Sequence, residues 1–313
     1  MAKLVFLYPG QGAQYVGMGR DLAAAHPVVQ KTFDEADKVL GFELSRLCFE
    51  GPKADLKQTT NTQPAILATS VAITRLLRQL GYEPSAAAGL SLGEYAALVA
   101  VGTISFSDAL HVVRQRGRFI QEAVPVGQGS MAAIIGLDRG VVERLCREAS
   151  DGLVVEPANY NCPGQIVISG HMEAVERAVK LAQKQGARRA VSLAVSAPFH
   201  SSLLLPAAKR LATTLGEVEL QPAQAPVVAN VSADYVWEPQ EVREALVNQV
   251  ANAVRWEDSM TRLLADGHKS FVEVGPGRVL QGFMKRISRR AQVRSVHDHQ
   301  SLQELLESSR EVL

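Results

Sequence analysis

The stretch AAAGLSLGEYAALVA, residues Ala86–Ala100, places Ser91 between Gly89 and Gly93. The short apolar run before the serine suits a buried strand, and the segment from Glu94 onward suits a helix. The two glycines permit a tight turn between strand and helix. The start of the helix supplies backbone N–H donors and the positive end of the helix dipole. A nucleophile elbow, a serine held on a sharp strand-to-helix turn, needs this setting. A plain glycine turn with a capping serine fits the same letters, so both readings stand on these residues alone.

Strands and helices alternate on either side of this turn. KLVFLY (3–8) reads as a short strand, followed by Gly10-Gln11-Gly12 and a helix from about Met18 to Ala25. Asp34–Leu40 reads as helix, and a long apolar helix starts at Pro64 and stops at Gly81. Further helices follow at Gly93–Val101 and Ala109–Glu122, the latter capped by Ser107-Asp108. This alternation implies a mostly parallel sheet covered by helices. From Pro125 to about Pro198 the order becomes strand, helix, two strands, helix, strand, which is the ferredoxin-like split unit. The expected fold is therefore α/β: a parallel-sheet subdomain over 1–124 and 198–313, with a ferredoxin-like insertion over 125–197. His297 and His299 read as part of a polar loop near the C-terminus.

Composition narrows the function classes. The 313 residues carry a formal charge of +1 and are 47% hydrophobic and 21% charged, so no overall field favours nucleic acid or an anionic membrane. Three cysteines with no C-x-x-C pair argue against a disulfide framework or a zinc site. Leu4–Tyr8 is too short for a signal-peptide core, and no segment reaches the length of a membrane span. A cytoplasmic monomer with neither metal nor cofactor is the expectation.

A nucleophilic serine needs a base. Among the seven histidines, His200 stands apart because it follows an apolar segment at an expected strand end and precedes Ser201-Ser202. Catalytic groups collect at the carboxyl edge of parallel sheets. A packed or capping histidine remains the competing reading. No acid between Ser91 and His200 stands out: Asp108 and Asp138 start helices and Asp151 lies in a turn. A Ser–His dyad oriented by a carbonyl or an amide follows more readily than a triad. Arg116, flanked by Arg114 and Arg118 on one helix, matters if it points inward, since its fork holds a carboxylate in two parallel hydrogen bonds. The glycines around Gln11 match neither a P-loop nor a dinucleotide fingerprint, which leaves Gln11 as a hydrogen-bonding group near the sheet edge.

Nine ordered blocks resemble the stand-alone malonyl-CoA:acyl-carrier-protein transacylases. They include PGQGAQYVGMG, GLSLGEYAALVA, RGRFIQEAVP, ANYNCPGQIVISG, VSAPFHSSLLLPAA, VVANVSA and EVGPGRVLQGFMKR, and they span nearly the whole chain. The resemblance implies that the large parallel-sheet subdomain is hydrolase-like, with Ser91 as nucleophile, His200 as base, and the Gln249 carbonyl as the group that orients the imidazole. It implies an oxyanion hole from Gln11 and the Leu92 N–H, a carboxylate clamp at Arg116, and pocket roles for Asn159 and Phe199. The implied partners are malonyl-CoA and acyl carrier protein, with Lys285–Arg290 and Arg188-Arg189 as candidate docking charges. The sequence departs from the family pattern at Leu90 (commonly His) and Ala13 (commonly Ser). Ala251 and Ala253 stand in a segment where the family has an aromatic residue and a proline. A polyketide or malonate decarboxylase malonyltransferase carries the same apparatus, and a serine thioesterase or esterase shares the elbow.

Overall fold

The structure, a computed structural model, describes residues 4–125, 127–195 and 197–310. Lys3, which opens the expected first strand, and Ser196, which closes the expected last strand of the inserted unit, lie outside the described residues. In chain order the strands are β1 (Leu4–Tyr8), β2 (Ala86–Gly89), β3 (Gly129–Ile135), β4 (Val155–Cys162) and β5 (Gln165–His171). They continue with β6 (Arg189–Ser192), β7 (Val227–Val228), β8 (Tyr235–Val236), β9 (Ser270–Val274) and β10 (Gln292–Val296).

Two sheets result. One has the order β10-β9-β1-β2-β7-β8, parallel throughout except for the antiparallel β7–β8 pair. The other has the order β4-β5-β3-β6 and is wholly antiparallel. With helices Arg139–Ser150 and Met172–Lys184 between its strands, the second sheet has the ferredoxin-like order of elements.

The large sheet is buried on both faces, as parallel sheets are. Phe6 and Tyr8 of β1 enter one core, while Val5 and Leu7 enter another with Trp256, Met260 and Phe271. The small sheet has its own core, in which Ile134, Ile166 and Ile168 meet Leu145, Val175 and Ala178. The sheets are joined where β4 pairs with the segment after helix Pro239–Ala251. There Tyr160 N–H donates to the Val254 carbonyl at 2.9 Å, and Val254 N–H donates to the Ala158 carbonyl at 2.8 Å.

Several elements differ from the sequence expectation. The long helix runs Thr59–Gln79, starting ahead of Pro64, because Thr59 and Thr62 of its polar first turn are buried. Thr62 there donates to the Leu56 carbonyl at 2.6 Å, a partner that sequence periodicity cannot reveal. The strand expected to lead to His200 ends early, at Ser192, so His200 lies in a loop. His299 is not in a loop: it opens helix His299–Arg310.

Candidate active site

Ser91 occupies a sharp turn between β2 and helix Gly93–Ala100, with a positive φ of 53°. Only close approach of strand, helix and neighbouring loop makes this turn possible. A Cβ on Gly89 would overlap the Gly93 backbone, and one on Gly93 would overlap the Tyr8 carbonyl. A left-handed conformation at a non-glycine residue costs of order 1–3 kcal/mol, so its surroundings must hold it. Asn230, just beyond β7, does so. Its Oδ1 accepts the Ser91 N–H at 2.6 Å, its Nδ2 donates to the Gly89 carbonyl at 2.7 Å, and its own N–H donates to Glu94 Oε2 at 3.0 Å.

His200 reaches this turn from its loop, also with a positive φ, of 58°. Its Nε2 lies 2.7 Å from Ser91 Oγ and its Nδ1 lies 2.8 Å from the Gln249 carbonyl oxygen. A carbonyl only accepts, so Nδ1 carries the proton and Nε2 presents its lone pair to the serine hydroxyl. The carbonyl is available because Gln249 lies in the last turn of helix Pro239–Ala251, where carbonyls have no intrahelical partner. Burial, and then the nearby Arg116 charge, push the imidazole down to about 4. The neutral form prevails at neutral pH.

Arg116 is the inward one of the three arginines. It is 2% exposed, whereas Arg114 donates to the Leu40 carbonyl and Arg118 is an exposed partner of Glu122. Its Nη2 donates to Ser91 Oγ at 3.2 Å and to Gln249 Oε1 at 2.9 Å. Its Nε is buried without a hydrogen-bond partner. Burial lowers the guanidinium's pKa, and the nearby Tyr95 and Glu94 oppose that shift.

A cleft of about 250 Å³ opens over Ser91 between the two sheets. Ser91, Leu92, His200, Arg116, Gln11, Asn159 and Phe199 all line it, so the expected site residues come together, with Gln249 directly behind. Among the described residues the backbone N–H groups of Gln11 and Leu92 have no hydrogen-bond partner. Leu90 and Ala13 also line the cleft, and Leu90 packs against Gly10. Ala251 and Ala253 are packed into the cores, and the Val254 pairing fixes the chain that follows Gln249. Of the candidate docking charges, Arg286 is tied to Gln165 Oε1 and the Pro163 carbonyl at 2.8 and 2.7 Å.

Sequence reading missed three residues here. Asn161 lines the cleft beside Asn159, and alternation along β4 was the available signal. Glu94 is fully buried in the apolar helix after Ser91, where a lone carboxylate among alanines and leucines was itself the clue. Asn230 had no such mark, because its partners come from distant segments.

No group of three or more His, Cys, Asp or Glu among the described residues has a metal-holding arrangement. No described helix is long and apolar enough to cross a membrane. A serine with its hydroxyl on a neutral imidazole, free N–H donors nearby and a buried cation at bonding distance can form and break an acyl ester.

Comparison with known proteins agrees. The family model described as acyl transferase domain matches residues 5–303. The malonyl CoA-acyl carrier protein transacylase of Bacillus subtilis is 45% identical, over 99% of this chain and 98% of that protein. The protein of the same name from Escherichia coli K12 is 48% identical, over 92% of this chain and 93% of that protein. The crystal structure of an acyl carrier protein S-malonyltransferase from Vibrio cholerae superposes with a TM-score of 0.95 at 46% identity, covering 97% of this chain and all of that one. A malonyl-transacylase in complex with a type II polyketide acyl carrier protein gives 0.96 at 46% identity, covering 98% of this chain and all of that one. The chain belongs to the acyl transferase domain family.

Proposed function

We propose that this protein moves a malonyl group from coenzyme A to the phosphopantetheine thiol of acyl carrier protein. The observation that carries the reading is the buried Arg116 guanidinium, 3.2 Å from the Ser91 hydroxyl that His200 addresses at 2.7 Å. A cation there suits an acyl group ending in a carboxylate.

In the first half-reaction, His200 Nε2 takes the Ser91 proton as Oγ attacks the thioester carbonyl. The tetrahedral oxyanion is held by the Gln11 and Leu92 N–H groups. The C–S bond breaks, the imidazolium returns its proton to the departing thiolate, and malonyl remains on Ser91 as an ester. In the second half-reaction the carrier's thiol gives its proton to His200 and attacks the ester. Ser91 Oγ then leaves and recovers the proton. Only acyl bonds are exchanged, so the chemistry calls for neither metal nor redox cofactor. Phe199 and Leu92 line the acyl pocket, and Asn159 presents a polar edge to it.

Mass spectrometry of the intact protein after mixing with malonyl-CoA tests this. A malonyl adduct on the wild type that Ser91→Ala abolishes is expected, and equal labelling by acetyl-CoA would contradict the role of Arg116. The relative bound to a polyketide carrier supports a second reading, in which the acceptor is a polyketide acyl carrier protein. Charging rates with the two kinds of carrier separate these acceptors.

A further inference from the structure

Arg116 is buried, yet no carboxylate touches it. A buried guanidinium without compensation is costly, and the nearest acid, Glu94, is also fully buried. One side-chain amide lies between the two. Gln249 Oε1 accepts from Arg116 Nη2 at 2.9 Å, and Gln249 Nε2 donates to Glu94 Oε2 at 2.8 Å and to the Ser91 carbonyl at 3.0 Å. The same residue's main-chain carbonyl holds His200. A direct ion pair would neutralise Arg116 better, but it would also fill the position that a substrate carboxylate needs.

We propose that Glu94 is a positioning residue which, through the Gln249 amide, gives Arg116 its counter-charge while leaving the guanidinium free for a substrate carboxylate. This rests on the carboxylate-clamp reading of Arg116. With Glu94 ionised and no substrate bound, the site holds one positive and one negative charge. After it enters, two carboxylates share one guanidinium. Glu94 thus limits how tightly the acyl carboxylate is gripped, which favours its hand-off to the second thiol.

The charged and titratable groups that interact with Glu94 are Arg116 from helix Phe106–Ala123 and Tyr95 from its own helix. Gln249 and Asn230 supply its neutral hydrogen-bond partners. Burial pushes the Glu94 carboxyl up to about 7, against the pull of those hydrogen bonds and of Arg116. The sign of the pH effect follows. Below about 7 Glu94 is neutral and no longer repels the substrate carboxylate, so malonyl binds more tightly.

Glu94→Gln keeps an oxygen for both hydrogen bonds, which converge on Oε2, and removes the charge. Steady-state kinetics with malonyl-CoA and acetyl-CoA, with melting curves to confirm folding, provide the test. The malonyl KM of Glu94→Gln should fall about tenfold and its kcat should fall with it, while acetyl kinetics change by less than about twofold. An unchanged malonyl KM, or equal changes for both substrates, overturns the proposal. A second measurement needs no substitution: the wild-type malonyl KM should rise as pH passes upward through about 7. Absence of that rise, or its persistence in Glu94→Gln, also overturns the proposal. A wild type that treats malonyl and acetyl alike removes the clamp, and the Glu94 role with it. A wild type that discriminates while Glu94→Gln matches it removes the Glu94 role alone.

Discussion

A histidine that takes a proton from serine at neutral pH must be neutral beforehand, and two features of His200's surroundings ensure this. Burial disfavours the imidazolium, and Arg116 repels it, which brings the group down to about 4. Titration of the imidazole by NMR should therefore place His200 well below the ordinary histidine range. Arg116→Ala should raise that value, because the repelling charge is gone, and no upward movement would rule out this electrostatic account. Ser91→Ala and His200→Ala should each cost about 10³-fold or more in transfer rate, since nucleophile and base act as one unit. At this scale the sequence was informative. The G-x-S-x-G pattern marked Ser91, and His200 was singled out by its position. Arg116 could not be told from Arg114 and Arg118 by pattern, because inward direction is set by the packing of its helix against its neighbours.

The elbow is a close contact between strand, helix and loop, and its glycines test that description. Gly93→Ala would press a methyl group against the Tyr8 carbonyl, a backbone atom that cannot move aside. Loss of about 3 kcal/mol or more, or failure to fold, is expected from chemical denaturation. Gly282, inside helix Val279–Ile287, faces open space. Gly282→Ala should stabilise the protein by about 0.5–1 kcal/mol, through helix propensity alone. A neutral Gly93→Ala would contradict the packing argument. The alanine run of β2 has poor strand propensity, yet it is a central strand, because small side chains let the helix after Ser91 lie close. The elbow was legible from its glycines. The short β7, the early end of β6 and the polar start of helix Thr59–Gln79 were not, since tertiary partners set those boundaries.

For the molecule as a whole, buried carboxylates shape the pH dependence of stability. Glu273 of β9 accepts the N–H groups of Leu280 and Gln281 at 3.1 and 2.8 Å, and burial raises it to about 7. A carboxyl raised on folding contributes stability that is complete below its unfolded value and lost as pH rises through about 7. The melting temperature of Glu273→Gln should therefore fall less than the wild type's between pH 5 and 8. An equal slope would show that Glu273 does not contribute. The order of elements suggested two sheets, because the alternation changes character near Pro125. What stayed hidden was the seam between them, the pairing of β4 with Val254 and the network of Glu94, Asn230 and Gln249. These contacts join segments far apart in the chain, and hydrophobic period carries no trace of them.

In the proposed function, Ser91, His200 and Arg116 together form a malonyl ester that waits for a thiol. The direct measurement is the fate of preformed malonyl-enzyme, freed of coenzyme A and then mixed with carrier protein bearing phosphopantetheine. Appearance of nearly all the malonyl on the carrier thiol, with little free malonate, is the predicted result. Loss of the adduct to water at the same rate with and without carrier would make the protein a hydrolase and contradict the account.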